Sequence, residues 1–279
     1  MTKILLIAIS FLFLNCNNKS EIQKNDLTRQ KLKGEIKNFT EFEYTVSDKF
    51  GEINKEHLYF KYNSQLNNNG NLLEENIYDE NNPLEDNKVT YKYDSKGVLL
   101  EKKYYQKNNI LSAIESFEYD DLGNMIEKTS FEADRSLNSK LISKFNANSH
   151  LIEENIYQPD GSLYSKSNFT YDEKNHLIEE NGYNADGSLN YRYTFKYDGK
   201  GNKIEGKSYN TDGSLNLTSV YKYNDKGDII EENTSKIDGS INFKYIQKYV
   251  YDNKGNWLQV ITFKNGIPTK MGVREYKYY

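Results

Sequence analysis

A period of 26 residues constrains this chain more than any other feature. Tyr93, Tyr119, Phe145, Tyr171, Tyr197 and Tyr223 follow one another at that spacing, and aspartate or asparagine follows each. Tyr62 opens an irregular copy before them, and Tyr251 opens a copy after them that is delayed by two residues. A fixed period between about 20 and 50 residues marks a repeat architecture, in which each unit buries its apolar side only against its neighbours.

Each unit contains two turns. One is Asp-x-Lys-Gly-Asn, as at Asp198–Asn202 and Asp252–Asn256, where glycine supplies the positive φ that closes a hairpin. The other is Asp-Gly-Ser-Leu, at Asp160–Leu163, Asp186–Leu189 and Asp212–Leu215, with Asp238–Ile241 a variant. Two turns per period leave two strands of about eight or nine residues. Leu189, Tyr191, Tyr193, Phe195 and Tyr197 then share one face, with Asn190, Arg192, Thr194 and Lys196 on the other. The expected fold is all-β: a tandem-repeat antiparallel meander of about sixteen strands, forming one elongated, curved or spiralling sheet with an aromatic stripe on its concave or packed face. The pattern divides the chain into a signal segment over 1–15, a flexible tether over 16–30, N-terminal strands over 31–61, hairpin repeats over 62–250 and a C-terminal repeat with its cap over 251–279.

The first residues, MTKILLIAISFLFLNC, place Lys3 before an apolar run from Ile4 to Leu14. That run is too short to cross roughly 30 Å of hydrocarbon as a helix, and it fits the apolar region of a secretory signal. Cys16 is the only cysteine, which excludes an intramolecular disulfide and a thiolate zinc cluster. Leu12-Phe13-Leu14-Asn15-Cys16 resembles the lipobox of bacterial lipoproteins, with Asn15 a departure from the usual small residue. The resemblance implies cleavage before Cys16, lipidation of Cys16 and a soluble domain held on a membrane through a lipid anchor. The formal net charge of −4, with acids and bases interspersed, argues against a nucleic-acid partner.

The unit pattern Tyr-Asp-x-Lys-Gly-Asn-x-Ile-Glu followed by Tyr-x-x-Asp-Gly-Ser-Leu resembles the YD repeats of RHS-type proteins. Over roughly residues 32–279 it is similar to Bacteroidetes repeat lipoproteins that open on a Leu-Lys-Gly-x-Ile/Val-Lys segment, here Leu32–Lys37, and close on Tyr-Asp-x-Lys-Gly-Asn-Trp, here Tyr251–Trp257. The resemblance implies an outer-membrane location with the membrane face left open. It implies no activity. The Asp-Pro self-cleavage element of large RHS shells is missing here, since the three prolines are Pro83, Pro159 and Pro268.

Candidate chemistry is sparse. Glu101, Glu127, Glu153, Glu179, Glu205 and Glu231 recur at one register, which two strands per unit would set about 9.6 Å apart. That is wide for a carboxylate dyad, and a solvated ladder that also guards a sheet edge is the expectation. The turn aspartates do not follow a calcium loop, because the third ligand position of Asp198–Asn202 is Lys200. His150 and His176 occupy equivalent positions in neighbouring units, too far apart for one metal, and His57 stands alone. No metal site, cofactor or catalytic residue is expected. The better candidates are tyrosines, whose rings can stack on sugars or anchor a protein. Tyr191 and Tyr193, beside Leu189, form the densest cluster. The expectation is a non-enzymatic binding or scaffold module for an envelope glycan or protein. A second expectation, from the RHS resemblance alone, is a protective lipoprotein against a toxin of that type.

Overall fold

The structure, a computed structural model, describes residues 25–81 and 88–279. Cys16 and the signal segment lie outside the described residues. Each Asp-x-Lys-Gly-Asn turn is built as its residues require. At Asp198 the backbone N–H donates to the carbonyl of Asn202 at 2.9 Å, and Gly201, at φ +84°, donates to the carbonyl of Asp198 at 3.1 Å. The Asp198 carboxylate accepts from the backbone N–H groups of Lys200 and Asn202. At the other end, Asp186 accepts from the backbone and the hydroxyl of Ser188. The aspartates recur because these turns recur.

The described residues form eighteen antiparallel strands, numbered along the chain. They are β1 (Ile36–Lys49), β2 (Glu52–Leu66), β3 (Leu72–Asp79), β4 (Lys88–Tyr93), β5 (Leu99–Gln106), β6 (Ile110–Tyr119), β7 (Met125–Glu132), β8 (Leu137–Phe145) and β9 (Leu151–Tyr157). They continue as β10 (Leu163–Tyr171), β11 (Leu177–Asn184), β12 (Leu189–Tyr197), β13 (Lys203–Tyr209), β14 (Leu215–Tyr223), β15 (Ile229–Lys236), β16 (Ile241–Tyr251), β17 (Trp257–Lys264) and β18 (Ile267–Tyr278). Each pairs with its successor, as a meander does.

The expected open, elongated sheet is overturned at the ends of the chain. β18 pairs with β1 along a ladder that runs from Ile36↔Tyr278 to Thr45↔Lys270. The meander is therefore a closed barrel with no edge strand. An open sheet would leave two rows of unpaired backbone groups, and closure satisfies both. Phe39, fully buried between Tyr62 and Tyr276, fixes the seam, and the ion pairs Glu41–Arg274 and Glu43–Lys270, both 2.8 Å, tie its two sides.

Eighteen strands spaced about 4.8 Å apart and tilted by about 40° close on a circumference of roughly 110 Å, enough for a solvent-filled bore. The inner residues agree with an open bore. Tyr191, Tyr193, Phe195, Tyr221 and Tyr245 keep intermediate exposure, where two sheets packed face to face would bury them.

The concave side is the aromatic side. Helix α1 (Asp26–Arg29) docks there at one mouth, its Leu27 packed with Ile36, Phe39, Leu66 and Leu72 beneath Tyr62, Tyr91, Tyr276 and Tyr278. Asn25 caps the helix, and the Asp26 carboxylate accepts from the Tyr93 hydroxyl and the Leu72 N–H, both at 2.8 Å. The chain then crosses to the seam through Asn256, which accepts from the Lys33 N–H and donates to the Lys33 carbonyl and the Tyr278 hydroxyl.

Asn256 and Asn202 hold the same turn position, but among the described residues the side chain of Asn202 bonds to Asp198 alone. Replacing Asn256 by alanine is expected to cost about 2 kcal/mol more than replacing Asn202, since it strands partners in a buried seam. Chemical denaturation of the two variants measures the difference.

Candidate functional site in the barrel lumen

Antiparallel register decides which side chains reach the lumen. Across β10, β11 and β12, Ser167 lies opposite Gly182, which lies opposite Tyr191; one step along, Phe169, Glu180 and Tyr193 align in the same way. The alternate residues Glu179, Asn181, Arg192 and Thr194 face outward. A doublet such as Glu179-Glu180 thus sends one carboxylate to each side of the wall.

The two carboxylates meet opposite surroundings. On the outside, Glu153 pairs with Lys144 and Lys166, both at 2.7 Å, and these bonds with Asn155 bring its carboxyl down to about 2. Glu127, Glu179, Glu205 and Glu231 are likewise paired with lysine or arginine and shifted down. The ladder anticipated from the sequence is therefore an outer belt of ion pairs. It guards no edge, because the barrel has none. On the inside, burial pushes the carboxyls of Glu154 and Glu180 up, and Glu180 adds to the shift at Glu154. Burial likewise lowers the Lys203 ammonium, which lies 5.3 Å from the Phe195 ring centroid and 4.8 Å from that of Tyr221.

The two candidate tyrosines are brought together, with ring centroids 5.3 Å apart, but they differ in what they do. The Tyr191 ring lies flat on Gly182, where a Cβ would come within 2.1 Å of its Cε1 atom. Its hydroxyl donates to Glu180 at 2.9 Å and shares a 3.0 Å bond with Ser167. Burial holds that hydroxyl at about 12. Tyr191 therefore belongs to the wall. The Tyr193 hydroxyl has no hydrogen-bond partner among the described residues, and its half-exposed ring faces the bore beside Phe195 and Glu180.

Sequence reasoning singled out the outer glutamates and missed the inner ones. Glu75, Glu154, Glu180 and Glu232 are the second members of four Glu-Glu-Asn triplets, and the doublet itself was the available signal. Glu75 shows the inner chemistry at its fullest, since Tyr62 and Tyr91 both donate to it. The histidines serve the rim: His150 stacks on Tyr171 and His176 on Tyr197, with ring centroids 5.0 and 4.6 Å apart. His57 meets Glu80. Among the described residues, no three potential metal ligands form a group. The lumen wall offers flat rings for stacking and hydroxyl and carboxyl groups for hydrogen bonds.

No protein-family model matches the chain, and no curated protein matches it. Among solved structures it is similar to a porin-like protein from Bacteroides uniformis, at 11% identity over 87% of this chain and 96% of that one, with a TM-score of 0.47. A porin-like protein from Bacteroides vulgatus gives 10% identity, 87% and 98% coverage and a TM-score of 0.40. A chain of the TcdB2-TccC3 complex gives 11% identity over 82% of this chain, which spans only 15% of that one, with a TM-score of 0.29. These likenesses assign neither a family nor a role. A lipid-facing barrel wall needs an apolar band about 25 Å tall, and the belt of ion pairs on this outer wall does not supply one.

Because the folded barrel raises the Glu180 carboxyl above its ordinary 4.5, ionisation of that group opposes folding at neutral pH. Glu180→Gln keeps an acceptor for Tyr191 and is expected to stabilise the barrel at pH 7. The gain should fade as pH falls through the raised value and vanish below about 4.5. Thermal unfolding of both proteins between pH 4 and 8 measures this.

Proposed function

We propose that this protein is a non-enzymatic binding barrel of the bacterial envelope, lipid-anchored through Cys16, whose lumen takes a polyhydroxylated ligand of the glycan class. The observation that carries the reading is the division of the wall. Ion pairs tie up the recurring glutamates of the outer face, whereas the inner face keeps half-exposed aromatic rings beside carboxyl and hydroxyl groups. Sugar rings present an apolar face that stacks on tyrosine and a rim of hydroxyls that bond to carboxyl and hydroxyl groups, so this combination suits them. The outer-membrane address rests on the lipobox and on the resemblance to repeat lipoproteins.

The two tyrosines separate binding from folding. Tyr193→Ala is expected to weaken binding of a soluble envelope polysaccharide at least tenfold with little change in unfolding midpoint. Tyr191→Ala should lower stability by about 1 to 3 kcal/mol, since it uncovers Gly182 and leaves Glu180 without its donor. Calorimetric titration with polysaccharide fractions, beside thermal unfolding, tests both. Wild-type protein that ignores every fraction would refute the reading.

A further inference from the structure

The two mouths of the barrel differ. The mouth that receives α1 is rimmed by the Asp-x-Lys-Gly-Asn turns, and the opposite mouth by the Asp-Gly-Ser turns and the β1–β2 and β17–β18 hairpins. Around this second rim, three successive hairpin tips carry exposed apolar residues: β15–β16 with Ile237 and Ile241, β17–β18 with Ile267, and β1–β2 with Phe50. The isoleucines are each 68% exposed and Phe50 fully so. Hairpins two strands apart stand about 10 Å from one another. On the same rim the turns of β9–β10, β11–β12 and β13–β14 place Pro159, Ala185 and Thr211 where β15–β16 has Ile237. Ile110 of the β5–β6 tip on this rim is also exposed, at 60%, but it stands apart, and among the described residues the three successive tips form the contiguous apolar sector.

Each of the three tips also carries a lysine, Lys236, Lys264 and Lys49 respectively. The nearby acids are turned inward or paired. Asp238 accepts from the backbone and hydroxyl of Ser240, Asp48 from the Gly51 N–H, and Glu56 pairs with Lys49 at 3.5 Å; Glu52 remains at the tip of β1–β2. Backbone N–H groups of the tips have partners: Gly239 donates to the Lys236 carbonyl at 3.0 Å, Asn265 to the Lys244 carbonyl of β16 at 2.8 Å, and Gly51 to the Asp48 carboxylate at 2.8 Å.

We propose that this sector of the rim inserts into the interface of a lipid bilayer, with Phe50, Ile237, Ile241 and Ile267 among the upper acyl chains and Lys49, Lys236 and Lys264 at the phosphates. Separate protruding teeth suit a deformable lipid surface better than a flat protein face. Apolar tips with internally satisfied backbone and adjacent lysines are what an interfacial segment requires. The tether does not prevent the contact. The nine residues from Cys16 to the first described residue can span roughly 30 Å, less than the roughly 45 Å length of the 14-residue β1, so anchor and tips meet one bilayer with the barrel tilted onto the sector that β1 itself opens. This contact is independent of what the lumen binds.

The test uses the full chain in a Cys16→Ser background, with a single cysteine at Phe50→Cys, Ile267→Cys or, as a control on the same rim, Ala185→Cys. Each cysteine carries an environment-sensitive fluorophore. On addition of phosphatidylethanolamine–phosphatidylglycerol vesicles, the labels at 50 and 267 should shift to the blue and be quenched by lipids brominated on the acyl chain, with the label at 185 unchanged. Phosphatidylcholine vesicles should give at least a fivefold weaker response. Equal responses at 50 and 185, or none at 50 and 267, would overturn the proposal. So would the same blue shift without vesicles at raised protein concentration, which would mark the tips as a contact between proteins.

Discussion

The ladder between β1 and β18 is the constraint on which the rest of the molecule depends. Every other strand pair joins neighbours in the chain and would form equally well in an open sheet. Only the seam, with Phe39 buried between Tyr62 and Tyr276 and two ion pairs across it, turns a meander into an enclosure. Enclosure makes the two sides of a strand unequal. A flat sheet would have solvated both sides alike, and the two glutamates of each doublet would then titrate alike. In the barrel, Glu153 is held near 2 by its lysines while burial lifts Glu154.

Between turns and seam lies a second device. The tyrosine that ends one unit reaches back to the turn of the unit before. Tyr197 donates to the Leu177 carbonyl at 2.8 Å, Tyr223 to the Lys203 carbonyl at 2.7 Å, and Tyr251 and Tyr278 to Asp228 and Asp252, both at 2.6 Å. The tyrosine-aspartate pair is therefore one joint with two jobs, its aspartate shaping its own turn and its tyrosine clamping the preceding one. This joint supplies order where a large apolar core is lacking.

Much of this was legible in the sequence. The period, both turns, strand lengths and the sharing of one face by Leu189, Tyr191, Tyr193 and Phe195 follow from glycine placement and alternation, which are local. Closure was not legible. It depends on Ile36 meeting Tyr278 across almost the whole chain, in the irregular first copy where the period fails. The contrast between Tyr191 and Tyr193 was hidden for a similar reason. It rests on Gly182 of the neighbouring strand, and the register that places that glycine under Tyr191 is set between strands. The inner glutamates were visible as doublets, but their environment exists only once the sheet has an inside.

The most direct test of the closed barrel is a distance across its seam. Spin labels at Lys37→Cys and Lys277→Cys, in a Cys16→Ser background, sit on neighbouring strands at exposed positions beside the Asn38↔Lys277 pair. Pulsed and continuous-wave spin resonance should give a narrow distribution within about 20 Å, as adjacent strands about 4.8 Å apart require. A separation of several tens of ångströms, approaching the roughly 80 Å between the first and last strands of a flat sheet of this size, would contradict closure and with it the lumen.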